Sequence, residues 1–354
     1  MINKLFLEIL NVQSYSRETE RMAEYIFDHC LSNNYDVAYE DGNLYVTKGI
    51  SPDGTYPCIV SHTDTVHKII PDQDYYVVHD DNVAFAYNLS KMEMTGVGGD
   101  DKVGIYICLR MLQDLPYCKA AFFRDEEIGC VGSMSADLEF FKDCRFILQC
   151  DRKGNKDFVS DIFCTQLYSQ EFSEAIAPIL EDYGYSETSG GLTDVYQLAE
   201  DGVGISVANM SCGYYNPHTD EEMINLHDVE NCRSMVFEIM IRCDKRYDHE
   251  QIKIKTTYGG RYYDWYDEDY YMYNKTDKKD DKKIEINGNT WDGWTYDKGK
   301  YSKVIDYKPT GYECWSCGFD VQYEELSPEG LCDRCEGFHS DYYSKPVTKS
   351  KHIF

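Results

Sequence analysis

Apolar runs and amphipathic stretches alternate along the first 245 residues. Ser16 to Leu31 carries Met22, Ile26 and Cys30 at helical spacing, which predicts a helix with Ser16 as its N-cap. Val37-Ala38-Tyr39 and Leu44-Tyr45-Val46 flank Asp41-Gly42-Asn43, the pattern of a hairpin. Further on, the pattern predicts strands at 57–61, 119–124, 145–150 and 203–208. It predicts helices at about 101–113, 170–182 and 228–243. Apolar strands separated by helices need cover on both faces, so the expected fold is an α/β three-layer sandwich around a mixed, mostly parallel sheet.

The texture changes near residue 246. The stretch RYYDWYDEDYYMYNKTDKKDDKK is crowded with Tyr, Asp and Lys and has no period. Residues 246–310 read as an acidic, Tyr-rich linker, partly disordered, whose aromatic content suits docking on a partner. Residues 311–340 form a separate small unit, and 341–354 a tail. No internal repeat is visible.

Composition narrows the class. The chain has 354 residues, 42% of them apolar, enough for a large core. Its 35 basic and 63 acidic residues give a net charge of −28. That argues against a nucleic-acid or anionic-membrane surface, which needs a positive footprint. The N-terminal stretch does not read as a signal peptide, and no run of 18 apolar residues predicts a spanning helix. Of fifteen cysteines, eleven are scattered, many in apolar strands. Thiols of that kind suit a reducing cytoplasm.

The candidate chemistry sits where the strands stop, the place where open α/β sheets bind ligands. His62 and Asp64 follow strand 57–61. Asp125, Glu126 and Glu127 follow 119–124, and Asp151 follows 145–150. Gly98-Gly99-Asp100-Asp101 opens a helix, and His218 stands in the loop before the last one. Singly these are caps and turn residues. Together they are two imidazoles and several carboxylates at one sheet edge, which a pair of divalent cations would neutralise. Mixed N/O donors suit zinc, with cobalt or manganese as alternatives.

His62-Thr63-Asp64-Thr65-Val66, Gly99-Asp100-Asp101-Lys102-x-Gly104, Asp125-Glu126-Glu127-Ile128-Gly129 and His218-Thr219 stand in this order in the chain. In that order and spacing they resemble the co-catalytic di-zinc exopeptidases: peptidase T, aminoacylase, the desuccinylases and their single-domain aminopeptidase cousins. The resemblance covers about residues 1–245 and implies a phosphorylase/hydrolase-like sandwich. It implies that His62 and Asp151 hold one metal, Glu127 and His218 the other, and that Asp100 bridges both across a peptide to Asp101 that is often cis. It makes Asp64 the partner of His62's other ring nitrogen, and Glu126 the general base toward a water shared by the metals. Gly190-Gly191-Leu192-Thr193-Asp194 resembles the family's turn near the substrate pocket. Tyr214 or Tyr215 could donate to an oxyanion or simply pack the loop. His67 matches no family role and reads as a polar loop residue. The short interval between Asp151 and His218 leaves no room for the lid domain of the peptidase T type, and with it goes the usual dimer contact.

Cys314-Trp315-Ser316-Cys317 and Cys332-Asp333-Arg334-Cys335 are two knuckles 14 residues apart. That spacing predicts a four-cysteine zinc ribbon folded by its metal, ahead of a redox dithiol. Few basic residues surround it, so a protein partner fits better than nucleic acid. The expected activity is hydrolysis of a terminal peptide bond. The alternatives are a deacylase acting on small N-acyl amino acids, and a non-catalytic binding module working through the ribbon.

Overall fold

The computed structural model describes residues 2–163 and 165–250, plus three short hairpins pairing 257–258 with 261–262, 284–286 with 289–291 and 296–297 with 300–301. Cys314, Cys317, Cys332 and Cys335, and with them the expected ribbon, lie outside the described residues, as does most of the expected linker.

Met1–Lys253 is one compact unit. It opens with a helix that the sequence reading does not anticipate, α1 (Lys4–Asn11), capped by the Asn3 side chain and burying Leu5, Phe6, Ile9 and Leu10 on one face. The next helix, α2 (Glu20–Ser32), buries Met22, Ile26 and Cys30 as expected. It starts later than predicted, because Ser16 is not its cap. The Ser16 hydroxyl instead donates to Asp64 Oδ2 at 2.7 Å. A missing donor costs a buried carboxylate more than a missing cap costs an exposed helix end.

The strands β1 (Asp36–Glu40) and β2 (Asn43–Lys48) form the expected hairpin. Both turn residues, Asp41 and Gly42, have positive φ, the conformation that a tight two-residue turn demands. Along the chain follow β3 (Tyr56–His62), β4 (Tyr75–His79), β5 (Val83–Asn88), β6 (Glu93–Thr95) and α3 (Gly99–Asp114). After them come β7 (Cys118–Phe123), β8 (Cys144–Gln149), β9 (Asp157–Ile162), β10 (Thr165–Gln166), α4 (Gln170–Tyr183) and β11 (Ser186–Gly190). The unit closes with α5 (Asp194–Glu200), β12 (Val207–Met210), β13 (Tyr214–Tyr215), β14 (Met223–Asn225) and α6 (Leu226–Arg242).

The main sheet runs β1-β2-β7-β3-β8-β12-β9-β10, with β11 beside β9. Strands β7, β3, β8 and β12 are parallel. Strands β2 and β9 flank them antiparallel. Every residue of β7 and β8 is buried. Since side chains alternate between faces, both faces are covered and the expected three-layer α/β sandwich holds. The strand expected at 203–208 begins only at Val207. Gly202 and Gly204 have φ of 85° and 73°, which no strand can continue through. A second sheet, β13-β14-β5-β4 with β6 on β5, carries the His218 turn.

Three elements are tied together beneath the site. Lys102 Nζ donates to Leu10 O (3.1 Å) and Val97 O (2.9 Å), and the Tyr75 hydroxyl lies within hydrogen-bond reach of the same two carbonyls. Burial lowers the Lys102 ammonium to about 7. Ten cysteines of this unit are free, buried thiols. Among the described residues no helix is long and apolar enough to cross a membrane.

Candidate metal centre at the strand ends

The parallel neighbours β7, β3 and β8 end at one edge, so the residues that follow them converge. His62 is the last residue of β3, Glu126 and Glu127 lie in a 3-10 turn after β7, and Asp151 follows β8. Asp100 begins α3, where the peptide to Asp101 is cis, as the resemblance implies. His218 sits in the β13–β14 turn with φ of 64°.

The structure brings His62, Asp100, Asp151, Glu127 and His218 together at this edge. Asp100 stands between the two imidazoles: its Oδ1 is 3.1 Å from His62 Nε2 and its Oδ2 is 3.3 Å from His218 Nε2. Asp151 Oδ1 flanks His62 Nε2 at 3.6 Å, and Glu127 Oε2 flanks His218 Nε2 at 3.0 Å. The result is two imidazole–carboxylate groups sharing one carboxylate. Asp64 lies behind His62, whose Nδ1 is 3.0 Å from the Asp64 carbonyl and 3.3 Å from Oδ1. The same carboxylate accepts the backbone N–H of Glu126 (2.9 Å) and Glu127 (3.3 Å). Asp64 thus positions the ring and the acidic turn together.

Asp101 also lies within ligand distance of His62 and Asp151. Its oxygens are already engaged by the Ser61 hydroxyl, the His62 N–H (3.3 Å) and the Gly104 N–H (3.0 Å). It is a brace for the start of α3. Asp125 is turned away, accepting from Arg17 N (2.6 Å) and pairing with Arg124 (2.8 Å).

Several braces are not visible in the sequence pattern. Gln149 Nε2 and Thr193 Oγ1 donate to Asp151 Oδ2 at 3.2 and 3.3 Å. Asn209 holds the Asp151 backbone on both sides. Thr193 belongs to the glycine-rich turn, so that turn does reach the site. Asp194 is bound instead by Ser133 (2.6 Å) and Gln149 (3.2 Å). The Tyr214 hydroxyl donates to Asp151 Oδ1 at 3.2 Å and that of Tyr215 to Asp228 at 2.6 Å, so neither is free for an oxyanion. The Cys130 thiol faces Glu126 Oε1 at 3.6 Å. His67 is more than a polar loop residue: it contacts the buried Glu222 carboxylate at 2.9 Å.

Electrostatics show how crowded the edge is. Burial and the charge of Asp100 push Glu127 up to about 8 and Asp151 up to about 6. Burial drives Glu126 well above its ordinary range and Asp194 to about 7. Burial disfavours charge on His218, but Asp100 and Glu127 outweigh it and raise the imidazole to about 12. His62 is raised likewise, against its burial, by Asp100, Asp151 and Asp64. Without cations the groups must share protons, because so many like charges cannot all ionise in one buried place. Two atoms stay unsatisfied even so. Glu127 Oε1 is buried without a hydrogen-bond partner, and the carboxylate oxygens 3.0 and 3.3 Å from the buried His218 Nε2 are not aligned to hydrogen-bond it. Orphaned donor atoms in a mixed N/O set fit a divalent cation.

No family model and no curated protein matches this chain. Solved structures do. The aminopeptidase PepT of Bacillus cereus ATCC 10987 superposes with a TM-score of 0.57 at 14% identity, over 68% of this chain and 97% of that one. A tripeptidase of Staphylococcus aureus subsp. aureus Mu50 gives 0.55 at 16% identity, over 69% and 100%. The aminopeptidase APDkam598 of the archaeon Desulfurococcus kamchatkensis gives 0.54 at 12%, over 69% and 94%. At these identities the likeness establishes a shared fold: the compact unit has the α/β architecture of these peptidases.

Proposed function

We propose that the chain is a two-metal exopeptidase, a hydrolase of terminal peptide bonds. The observation that carries this reading is Asp100, with one oxygen toward each histidine and Asp151 and Glu127 on either flank. His62, Asp100 and Asp151 would hold one cation; Asp100, Glu127 and His218 the other. Zinc suits this donor set, with cobalt or manganese as alternatives. Such a pair supplies Lewis acidity to the scissile carbonyl and a nucleophile at neutral pH. Aminopeptidases and a tripeptidase with the same fold support a peptide as substrate.

The chain's own residues supply the rest. Glu126 is the general base: its carboxylate takes the proton of the attacking water and returns it to the leaving amine. Asp64 keeps the His62 ring in one orientation while its oxygens hold the turn that aims Glu126. Tyr214, Thr193 and Gln149 keep Asp151 in place. Cys314, Cys317, Cys332 and Cys335 would hold a third, structural zinc, giving the C-terminal unit a fold and a surface for a protein partner. The free buried thiols of the first unit suit a reducing, cytoplasmic setting.

Elemental analysis of full-length protein, with a screen of dipeptides, tripeptides and N-acyl amino acids, tests the reading. Two cations beyond the ribbon zinc, with turnover of peptides, support it. Turnover of acyl amino acids alone would make the chain a deacylase. Absence of the pair after zinc resupply would leave the ribbon as the working part.

A further inference from the structure

Three backbone segments that carry candidate ligands meet on one side chain, and it is not a ligand. Glu222 follows His218 in the β13–β14 turn, and its N–H closes that turn on Thr219 O at 3.2 Å. Its side chain is fully buried. Oε2 accepts the Gly98 N–H at 2.6 Å and contacts His67 Nε2 at 2.9 Å. Oε1 accepts the Asp100 N–H at 3.1 Å. One carboxylate thus ties the loop after His62, the loop that ends in Asp100 and the turn that holds His218. The glycines between them make the approach feasible. A Cβ on Gly96 would fall 2.0 Å from the His67 ring, and one on Gly99 would fall 3.3 Å from Glu222 Oε1. His67 is itself set from behind: its N–H donates to Thr65 Oγ1 at 3.2 Å, and that hydroxyl donates to Ser14 O at 2.6 Å.

We infer that Glu222, oriented by His67, is a positioning residue that holds Asp100 and His218 in register and so sets the affinity for the second cation. The inference rests on the two-metal reading. Asp100 and His218 lie on different loops, so their separation depends on whatever ties those loops together. Glu222 bonds the backbone of Asp100 and belongs to the turn of His218. The His62–Asp151 side hangs on other braces, namely Gln149, Thr193, Tyr214 and Asn209. Removing the clamp should therefore separate the two affinities.

The test uses the full chain loaded with Co2+ in competition with a chromophoric chelator. Thiolate charge-transfer bands mark cobalt in the cysteine knuckles and keep it apart from the N/O site. Glu222→Gln turns one acceptor into a donor that opposes a backbone N–H. The expected result is a second-cation affinity about 10–100-fold weaker, the usual loss for a residue that orients a ligand. The first cation shares Asp100 but keeps His62 and Asp151 with their braces, so its affinity should fall less, by about 2–5-fold, with only a modest drop in the cation-free melting temperature from the opposed buried N–H. His67→Ala should weaken the same cation to a lesser degree, and His67→Gln, which keeps an N–H donor, should restore it. The histidine variants decide the matter should Glu222→Gln fail to fold. Unchanged affinities would overturn the inference, and so would equal weakening of both cations with a lower cation-free melting temperature, the mark of a merely structural staple. Failure of wild-type protein to bind a cation pair would instead sink the two-metal reading, and this inference with it.

Discussion

The two halves of the candidate centre are finished to different degrees. Around His62 and Asp151 each polar side-chain atom has a protein partner, and His62 is fully buried. Around His218 the side chain is 27% exposed, the residue rides on a left-handed turn, and Nε2 and Glu127 Oε1 lack hydrogen bonds. The first half is preorganised by the sheet and its braces. The second is a partly open pair of donors that a cation would complete. Preorganised ligands need less ordering on binding, so the first half should bind tighter and release its cation later under a chelator.

Replacing Glu126 by Gln should have the largest effect, since it touches the chemistry common to both halves. Turnover should fall about 10²–10⁴-fold while both cations stay, as steady-state kinetics and elemental analysis would show. Undiminished turnover would remove Glu126 as the base. The contrast itself is broken or kept by comparing His62→Ala with His218→Ala. The former should lose cation and also lower the melting temperature of cation-free protein, because it opens a cavity at a fully buried position. The latter should lose one cation and leave the cation-free melting temperature almost unchanged. Equal destabilisation by both would mean the halves are equally built. Tyr214→Phe is a finer probe. It removes one hydrogen bond to the Asp151 carboxylate, worth about 1.5–3 kcal/mol for a charged acceptor, and should weaken the first cation about 10–100-fold without touching the second.

Proton linkage sharpens the contrast further. In the cation-free fold Glu127 is raised to about 8 and Asp151 to about 6, and His218 to about 12. Raised groups bind more protons folded than unfolded, so their contribution to stability is complete below their unfolded pKa values and fades as pH climbs through the folded ones. Cation-free protein should therefore melt lower at pH 8 than at pH 5. Zinc should reduce or reverse the trend, because the cations take the place of those protons. A melting temperature that rises with pH in the presence of EDTA would contradict the proton-sharing arrangement.

Much of this centre is legible in the sequence because its residues break a strong pattern. An imidazole or carboxylate at or soon after the end of a mostly apolar strand stands out, and His62, Glu127 and Asp151 all do so. The clamp is not legible. Glu222 ends the acidic run Asp220-Glu221-Glu222, and nothing in composition marks which of the three is buried. Ser16 reads as a cap because capping is a local rule, while its actual partner, Asp64, is distant in the chain. The small sheet escapes for a related reason. Strands such as β4 alternate weakly and β13 and β14 are very short, so their pairing depends on neighbours far along the chain.

Strand order also gives the centre a timetable. The chain delivers His62 early and His218 near the end of the compact unit, with β12 inserted beside β8 only in between. At about 5–20 residues per second, a ribosome needs on the order of ten seconds to pass from one histidine to the other. Through that interval the growing chain holds only part of the donor set. Under the two-metal reading, loading of both cations would therefore follow translation of the unit.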